Sequence, residues 1–114
     1  MIDNFDTSHY EGAQAGPNLS ITGAIHGNEP CGPVVIGQLL DDIGNGDIGI
    51  TRGGVSLIPV CNPAAYERGI RYFERNMNRR FHPKDEPATY EDRRINELAP
   101  YFEKADYLLD IHSC

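Results

Sequence analysis

The 114-residue sequence lacks long apolar runs and any leader-like segment at its start. No apolar run approaches the roughly 20 residues that a membrane-spanning helix requires. The first residues, MIDNFDTSHYEGAQ, contain neither the basic nor the apolar region of a signal peptide. We therefore expect no membrane association and a cytoplasmic location.

Cysteine is also scarce. The three cysteines, Cys31, Cys61 and Cys114, are widely spaced, odd in number and without a CxxC pair. This pattern indicates neither a disulfide framework nor a thiolate zinc site, and we expect reduced, largely buried thiols. Cys31 lies near the candidate site described below, where a small residue that fills space is the simpler interpretation.

Basic residues are few, since ten Lys and Arg stand against seventeen Asp and Glu, for a net charge of −7. This balance argues against a nucleic-acid or anionic-membrane partner, because neutralising phosphates requires a basic surface. Half of the basic residues are nevertheless concentrated in one segment: Arg68, Arg71, Arg75, Arg79 and Arg80. Such a cluster could bind small carboxylates, although composition alone favours a solvated arginine-rich face.

Apolar spacing divides the chain into alternating strands and helices. The sequence LSITGAI (19–25) alternates as a strand does, and GVSLIPV (54–60) and YLLDI (107–111) read as two further strands. Helical spacing follows the first strand up to Gly44, and a capping box at 89–92 begins a second helix. This order predicts an α/β fold with a mainly parallel or mixed sheet flanked by helices.

Prolines limit these predicted elements. Pro59 should end or bulge the second strand, and Pro100 should kink or shorten the second helix. Asn62-Pro63 opens a region that we interpret as long and irregular, and this region holds most of the arginines. No repeat or linker divides the chain, so the sequence predicts one domain.

Polar residues follow each predicted strand at its carboxyl end. His26 and Glu29 come after the first strand, Asn62 after the second and His112 after the third. Ligands bind beyond this edge in parallel α/β sheets, and two imidazoles with one carboxylate form a recurrent catalytic zinc set. We therefore predict a zinc site at His26, Glu29 and His112, with Asp110 on the same strand face placed to orient it.

The simpler alternative for His-x-x-Glu is an ordinary polar turn, because the motif alone is a weak signal. A histidine at the end of a distant strand favours the metal site. His9 and His82 have no comparable context, and we interpret both as surface or loop residues.

Three blocks of the sequence, in order, resemble one known family: GAIHGNEPCG, NPAAYERGIRYFERNMNRRF and LLDIHSC. They are similar to the succinylglutamate desuccinylase/aspartoacylase family, a branch of the zinc carboxypeptidase-like hydrolases, and they span about residues 19–114. The resemblance implies a zinc carboxypeptidase-like fold with one zinc ion per chain, held by His26, Glu29 and His112. It also implies a small anionic N-acyl amino acid as the substrate.

The same resemblance implies roles for the arginine-rich segment. Arg71 would be the catalytic arginine that faces the scissile carbonyl or the acyl group, and Asn78 with Arg79 would hold a substrate carboxylate. A guanidinium suits both tasks, because it can grip a carboxylate or stabilise a developing oxyanion. Asn76 departs from the family pattern, since close relatives often carry an aspartate there. Salt bridges or a solvated face are expected for the other three arginines: Arg68, Arg75 and Arg80.

The family's general base is a glutamate well downstream of the third ligand, and no residue of this sequence matches it. We therefore expect residues 1–114 to be the N-terminal portion of a single zinc-hydrolase catalytic domain, apparently truncated after the third ligand and with little turnover alone. The predicted function is a zinc-dependent amidohydrolase that cleaves the amide bond of an N-acyl amino acid. A metallocarboxypeptidase acting on peptides and a non-catalytic metal- or carboxylate-binding module are the alternatives. The acyl group, the amino acid and any homo-oligomer stay open.

Overall fold

The computed structural model describes residues 6–113, which form a four-stranded sheet and three helices. In chain order the elements are β1 (Ser8–Glu11), β2 (Gln14–Thr22), α1 (Cys31–Gly44), β3 (Arg52–Ile58), α2 (Pro63–Arg68), α3 (Tyr90–Glu103) and β4 (Tyr107–Asp110). Within these residues, no helix has the length and apolar character needed to cross a membrane.

The sheet is mixed, with the strand order β1-β3-β2-β4. β2 pairs in parallel with β3 and β4, whereas β1 pairs antiparallel with β3. Thr22, the last residue of β2, lies opposite both Ile58 and Asp110, so the three parallel strands end level with one another. The predicted α/β fold with a mainly parallel or mixed sheet is confirmed, and the segments that follow these strands meet at one edge.

Two apolar clusters cover the two faces of the sheet. On one face, Ile36 of α1 is fully buried and packs in a cluster with Ile21 and Leu57. On the other face, Ile95 of α3 is fully buried in a cluster with Ile58. Because neighbouring strand residues point to opposite faces, Leu57 and Ile58 supply the two clusters separately. The last residues of β2 and most of β3 are thus buried on both sides, which explains their apolar sequences. The apolar residues of β4 are exposed, with Leu108 and Leu109 each about half accessible.

Local signals explain where two of the helices begin. The Oγ1 of Thr89 accepts the Asp92 N–H at 3.1 Å, and the Asp92 carboxylate accepts the Thr89 N–H at 3.2 Å. These bonds form the predicted capping box of α3. Asn62 caps α2, since its Oδ1 accepts the Ala65 N–H at 3.2 Å. Gly69 ends α2 with a φ of 64°, in the left-handed region that favours glycine.

Some details differ from the sequence-based expectations. The region after Asn62 contains α2, and the predictions omitted β1, whose four residues SHYE alternate in burial without forming an apolar pattern. Pro59 lies just beyond the end of β3, as expected. Pro100 does not shorten α3, which continues to Glu103. Only the last turn follows this proline, so the missing N–H disturbs little of the helix.

The cysteines do not share one environment. Cys61 is fully buried, and burial raises the pKa of its thiol to about 12. Cys31, the first residue of α1, is exposed, so the expectation of largely buried thiols is wrong for this residue. A position at the start of an outer helix leaves its side chain at the surface. Cys114 lies outside the described residues.

Candidate active site

The loop between β2 and α1 places His26 and Glu29 beyond the carboxyl end of the central strand. Two backbone bonds tie this loop to the chain after β3: Cys61 N–H to the Gly23 carbonyl at 2.9 Å and Asn62 N–H to the Ala24 carbonyl at 3.0 Å. Ala24 adopts a φ of 48°, which is unusual for a residue with a Cβ. The loop that presents His26 is therefore held firmly, in a backbone conformation that carries some strain.

His26, Glu29 and His112 meet at this edge of the sheet. Each offers one ligand atom, and the three atoms lie within 4.8 Å of one another. The Nδ1 of His26 lies 2.6 Å from Oε2 of Glu29, and the Nδ1 of His112 lies 3.0 Å from Oε1. The structure thus brings together the three residues predicted as zinc ligands, from two distant parts of the chain.

The far nitrogen of His26 faces an amide oxygen. Its Nε2 lies 2.8 Å from Oδ1 of Asn76, and that same oxygen accepts the Asn78 N–H at 3.0 Å. A backbone N–H can only donate, so this contact identifies the Asn76 atom as an acceptor. Nε2 of His26 must therefore carry the proton, which leaves Nδ1 of the neutral ring with a lone pair.

His112 is oriented in the same way by a carboxylate. Its Nε2 lies 2.8 Å from Oδ2 of Asp110, while Oδ1 of Asp110 accepts the Thr22 hydroxyl at 2.9 Å. Asp110 is the residue that the sequence predicted would orient the site. With Nε2 donating to Asp110, Nδ1 of neutral His112 also presents a lone pair toward Glu29.

These donors fit a divalent cation. Two imidazole lone pairs that face a carboxylate at 2.6 and 3.0 Å repel it unless a proton or a cation lies between them. Two imidazole nitrogens and one carboxylate oxygen are the ligands that catalytic zinc takes, and outer hydrogen bonds to each far nitrogen are usual in such sites. The described site therefore suits a zinc ion chemically.

The ionisation of Glu29 and His112 follows from the same contacts. Burial opposes ionisation of Glu29, but the Ser113 N–H, together with His26 and His112 in their protonated forms, holds the pKa of the carboxyl below its usual range. Burial also opposes the charged form of His112, yet contacts with Asp110 and Glu29 raise the pKa of this imidazole. The site therefore has an electrostatic preference for positive charge.

Arg71 borders the site. Its side chain is half exposed, and Nη1 lies 4.0 Å from Oε2 of Glu29. Its carbonyl accepts the Gly27 N–H at 3.1 Å, which attaches the arginine-rich segment to the loop that carries His26. A Cβ at Gly27 would lie 2.2 Å from the Ala65 carbonyl carbon, so this close approach requires glycine.

Asn78 and Arg79 are placed by their backbones. The Asn78 N–H donates to the Asn76 side chain, and the Arg79 N–H donates to the Asn76 carbonyl at 3.0 Å. Both side chains are exposed. Among the described residues, neither side chain makes a hydrogen bond or ion pair with the zinc-ligand candidates. Their predicted role toward a substrate stays a prediction.

Of the other three arginines in this segment, Arg68 and Arg75 have side-chain partners and Arg80 is exposed. Arg75 pairs with Asp92 through Nε at 2.6 Å, and the Arg68 guanidinium lies over the Phe73 ring at 4.7 Å from its centroid. Arg80 is exposed and has a φ of 57°. These positions agree with the interpretation of salt bridges and a solvated face.

Two residues that support the site were not identified from the sequence. In the sequence, Asn76 is distinguished only as a departure from an aspartate pattern, yet its oxygen serves as the acceptor for His26. In the sequence, Glu91 is distinguished only as part of a capping box, but its carboxylate is fully buried beneath the arginine-rich segment. One sequence signal for Glu91 exists. It stands four residues before Ile95, so it lies on the same face of the helix as this apolar residue, where an acidic side chain is unusual.

A family model agrees with the architecture and the site. The model for the succinylglutamate desuccinylase/aspartoacylase catalytic domain matches residues 15–114. This match covers most of the chain and includes the segments that carry His26, Glu29 and His112. The chain therefore belongs to this family.

Individual relatives are similar over about a third of their own length. The chain is 32% identical to an N-acyl-aromatic-L-amino acid amidohydrolase (carboxylate-forming) of Rattus norvegicus, over 83% of the chain and 33% of the relative. It is 34% identical to a succinylglutamate desuccinylase of Pseudomonas fluorescens, over 84% of the chain and 30% of the relative. A product-bound ectoine utilization protein of Ruegeria pomeroyi superposes with a TM-score of 0.77 at 28% identity, covering 94% of this chain and 32% of that one.

Proposed function

We propose that this chain provides the metal-binding and anion-binding part of a zinc-dependent amidohydrolase that converts an N-acyl amino acid into a carboxylate and a free amine. The observation that carries the proposal is the pair of oriented imidazoles whose Nδ1 atoms converge on Glu29. Membership of the family supports it, and so do relatives named as amide hydrolases.

In this proposal His26, Glu29 and His112 hold one zinc ion per chain. When bound, the ion would supply Lewis acidity toward an amide carbonyl and toward water. The residues around it have separate tasks: Asn76 and Asp110 fix the ring orientations, so that neither histidine must reorganise on binding.

Arg71 is the proposed catalytic arginine. Its guanidinium stands at the rim of the site, half exposed and 4.0 Å from Glu29, where it could donate to the scissile carbonyl as negative charge develops on the oxygen. Asn78 and Arg79 follow in the same segment and are proposed to bind a substrate carboxylate. A cationic rim in a protein of net charge −7 favours a small anionic substrate.

A general base is still required. Glu29 contacts both histidines and Asp110 is bonded to His112, so both carboxylates that contact the histidine pair are already committed. We therefore assign proton transfer to a glutamate other than Glu29. We also propose that residues 1–114 are the N-terminal portion of one catalytic domain. A cytoplasmic location and any homo-oligomer stay predictions.

A substrate panel tests the proposed reaction. The zinc-loaded protein, as it occurs in its source, should release amine from N-acetyl-aspartate or N-succinyl-glutamate faster than it releases an amino acid from a dipeptide. Arg71→Ala should lower kcat/KM by about 100-fold or more, as expected for losing a donor to a developing oxyanion. A preference for the dipeptide would favour a metallocarboxypeptidase, and no hydrolysis of any N-acyl amino acid would contradict the proposal.

The exchange Asn76→Asp should raise zinc affinity. Nε2 of His26 donates to the neutral amide of Asn76, whereas Nε2 of His112 donates to the carboxylate of Asp110. A carboxylate acceptor makes the imidazole a more basic metal ligand than a neutral amide does. We expect zinc to bind about 10-fold more tightly, measured by competition with a chromophoric chelator. The reverse exchange, Asp110→Asn, should weaken binding by about 10- to 100-fold. Equal or weaker binding by the Asn76→Asp variant would contradict the assigned role of Asn76.

A further inference from the structure

A buried carboxylate lies beneath the arginine-rich segment. Glu91, in the first turn of α3, is fully buried. Oε2 accepts the Phe73 N–H at 2.7 Å and the Asn62 side-chain amide at 2.9 Å, and Oε1 accepts the Glu74 and Arg75 N–H groups at 3.0 and 3.1 Å. One side chain therefore holds three successive backbone donors.

These donors make the buried charge tolerable. A carboxylate without partners would be costly at a fully buried position, and it would take up a proton instead. Burial does oppose ionisation of Glu91, but the hydrogen bonds outweigh it and hold the pKa of this carboxyl below its usual range. Three successive N–H groups that converge on an anion form a concave binding site of the backbone, and here the anion belongs to the protein.

The anchored residues, 73–75, lie between two attachments to the candidate site. On one side, the carbonyl of Arg71 accepts the Gly27 N–H. On the other side, Asn76 accepts from His26. Glu91 therefore holds the middle of a short segment whose ends contribute the catalytic arginine and the residue that orients a zinc ligand.

We propose that Glu91 is a positioning residue that sets the placement of Arg71 and Asn76. The proposal rests on the proposed function, because it assumes that Arg71 donates to an oxygen of the scissile carbonyl or of the acyl group, which succinate also supplies. If the anchored segment moved by even one ångström, the guanidinium of Arg71 would no longer be placed to donate to a group bound at the site. A purely structural carboxylate would instead stabilise the fold without any specific link to Arg71.

A double-mutant cycle on anion binding separates these two roles. The affinity for succinate is measured by calorimetry, with and without zinc, for wild type, Arg71→Ala, Glu91→Gln and the double variant. We expect Arg71→Ala and Glu91→Gln each to weaken binding by about 10-fold or more. The double variant should bind within about twofold of Arg71→Ala, because Glu91 acts through the residue already removed.

Glu97→Gln is the matched control, since Glu97 is an exposed glutamate on the same helix, paired with Arg94. It should leave succinate binding unchanged. Glu91→Asp is the second variant, because it keeps the charge but is one methylene too short to reach all three donors. It should weaken succinate binding less than Glu91→Gln does. Thermal unfolding of each variant shows which ones are folded.

Two results would overturn the proposal. Independent, additive losses in the double variant would show that Glu91 does not act through Arg71, and unfolding of both Glu91 variants would assign it a structural role only. Failure of wild type to bind zinc would contradict the proposed function instead, while the cycle without zinc would still report the coupling of Glu91 to Arg71.

Discussion

Replacing His26 with alanine is expected to lower the affinity for zinc by more than about 100-fold. Loss of an outer hydrogen-bond partner typically weakens metal binding by about 10- to 100-fold, and loss of a ligand should cost more. The remaining donors would be Glu29 and His112, which leave the ion with two protein ligands. Calorimetric titration of metal-free protein with zinc measures the change.

His9→Ala is the matched control for this prediction. His9 lies on β1 and is bonded to Ser56 and Glu11, at the opposite edge of the sheet from β4. Its removal should leave zinc affinity unchanged. Zinc should also raise the Tm of wild type and of His9→Ala, but not that of His26→Ala, because only a protein that binds the ion gains stability from it. Equal affinity in wild type and His26→Ala would contradict the predicted ligand set.

Asp92→Ala is expected to destabilise the fold by about 3 kcal/mol, the lower end of the range for breaking a buried ion pair. The Asp92 side chain is almost fully buried and lies 2.6 Å from Nε of Arg75 and 3.3 Å from Nζ of Lys84. It also accepts the Thr89 N–H in the capping box. Truncation would leave the partly buried Arg75 without its carboxylate partner and would remove the acceptor of the Thr89 N–H, although the Thr89 hydroxyl would still cap α3. Urea unfolding at pH 7 measures the loss.

The same carboxylate makes stability depend on pH. Burial opposes ionisation of Asp92, but the Arg75 guanidinium and the backbone donors outweigh it and hold the pKa well below its ordinary value of 3.8. A lowered folded-state pKa gives stability that is fully present above the unfolded pKa and is lost as pH falls toward the folded one. The unfolding free energy of wild type should therefore fall below about pH 5, and Asp92→Ala should show a shallower fall.

Asp85→Ala is the control for the acid experiment. Asp85 is an exposed residue of the loop before α3. Its removal should leave both the stability at pH 7 and the acid dependence close to those of wild type. An acid dependence in Asp92→Ala as steep as in wild type would show that other carboxyls control this transition.

The main fold could be predicted because its elements carry local signals. The alternation of Ile21 with polar neighbours, the helical spacing around Ile36 and the capping box at Thr89 each reflect one period or one local hydrogen-bond pattern. β1 has no such signal, since its pairing with β3 depends on a partner more than forty residues away. α2 lies in a region that its sequence predicts as irregular, although Asn62 and Gly69 are ordinary helix-boundary residues.

Some residues of the candidate site could be predicted from the sequence and others could not. His26, Glu29 and His112 could be predicted to meet because parallel strands deliver their following residues to one edge. The roles of Asn76 and Glu91 depend on contacts with chain segments 16 to 50 residues away in sequence, which no local pattern encodes. Within the candidate site, the sequence therefore predicts the ligands but not the long-range hydrogen bonds that orient and support them.

X-ray absorption at the zinc edge tests the proposed ligand set itself, because it reports which atoms surround the ion. We expect the protein to take up one zinc ion, with imidazole nitrogens at about 2.0–2.1 Å and a carboxylate oxygen at about 2.0–2.2 Å. No sulfur should appear in the first coordination sphere, although Cys31 is exposed nearby in the sequence. Absence of bound zinc, or a sulfur ligand at about 2.3 Å, would contradict the assignment of His26, Glu29 and His112.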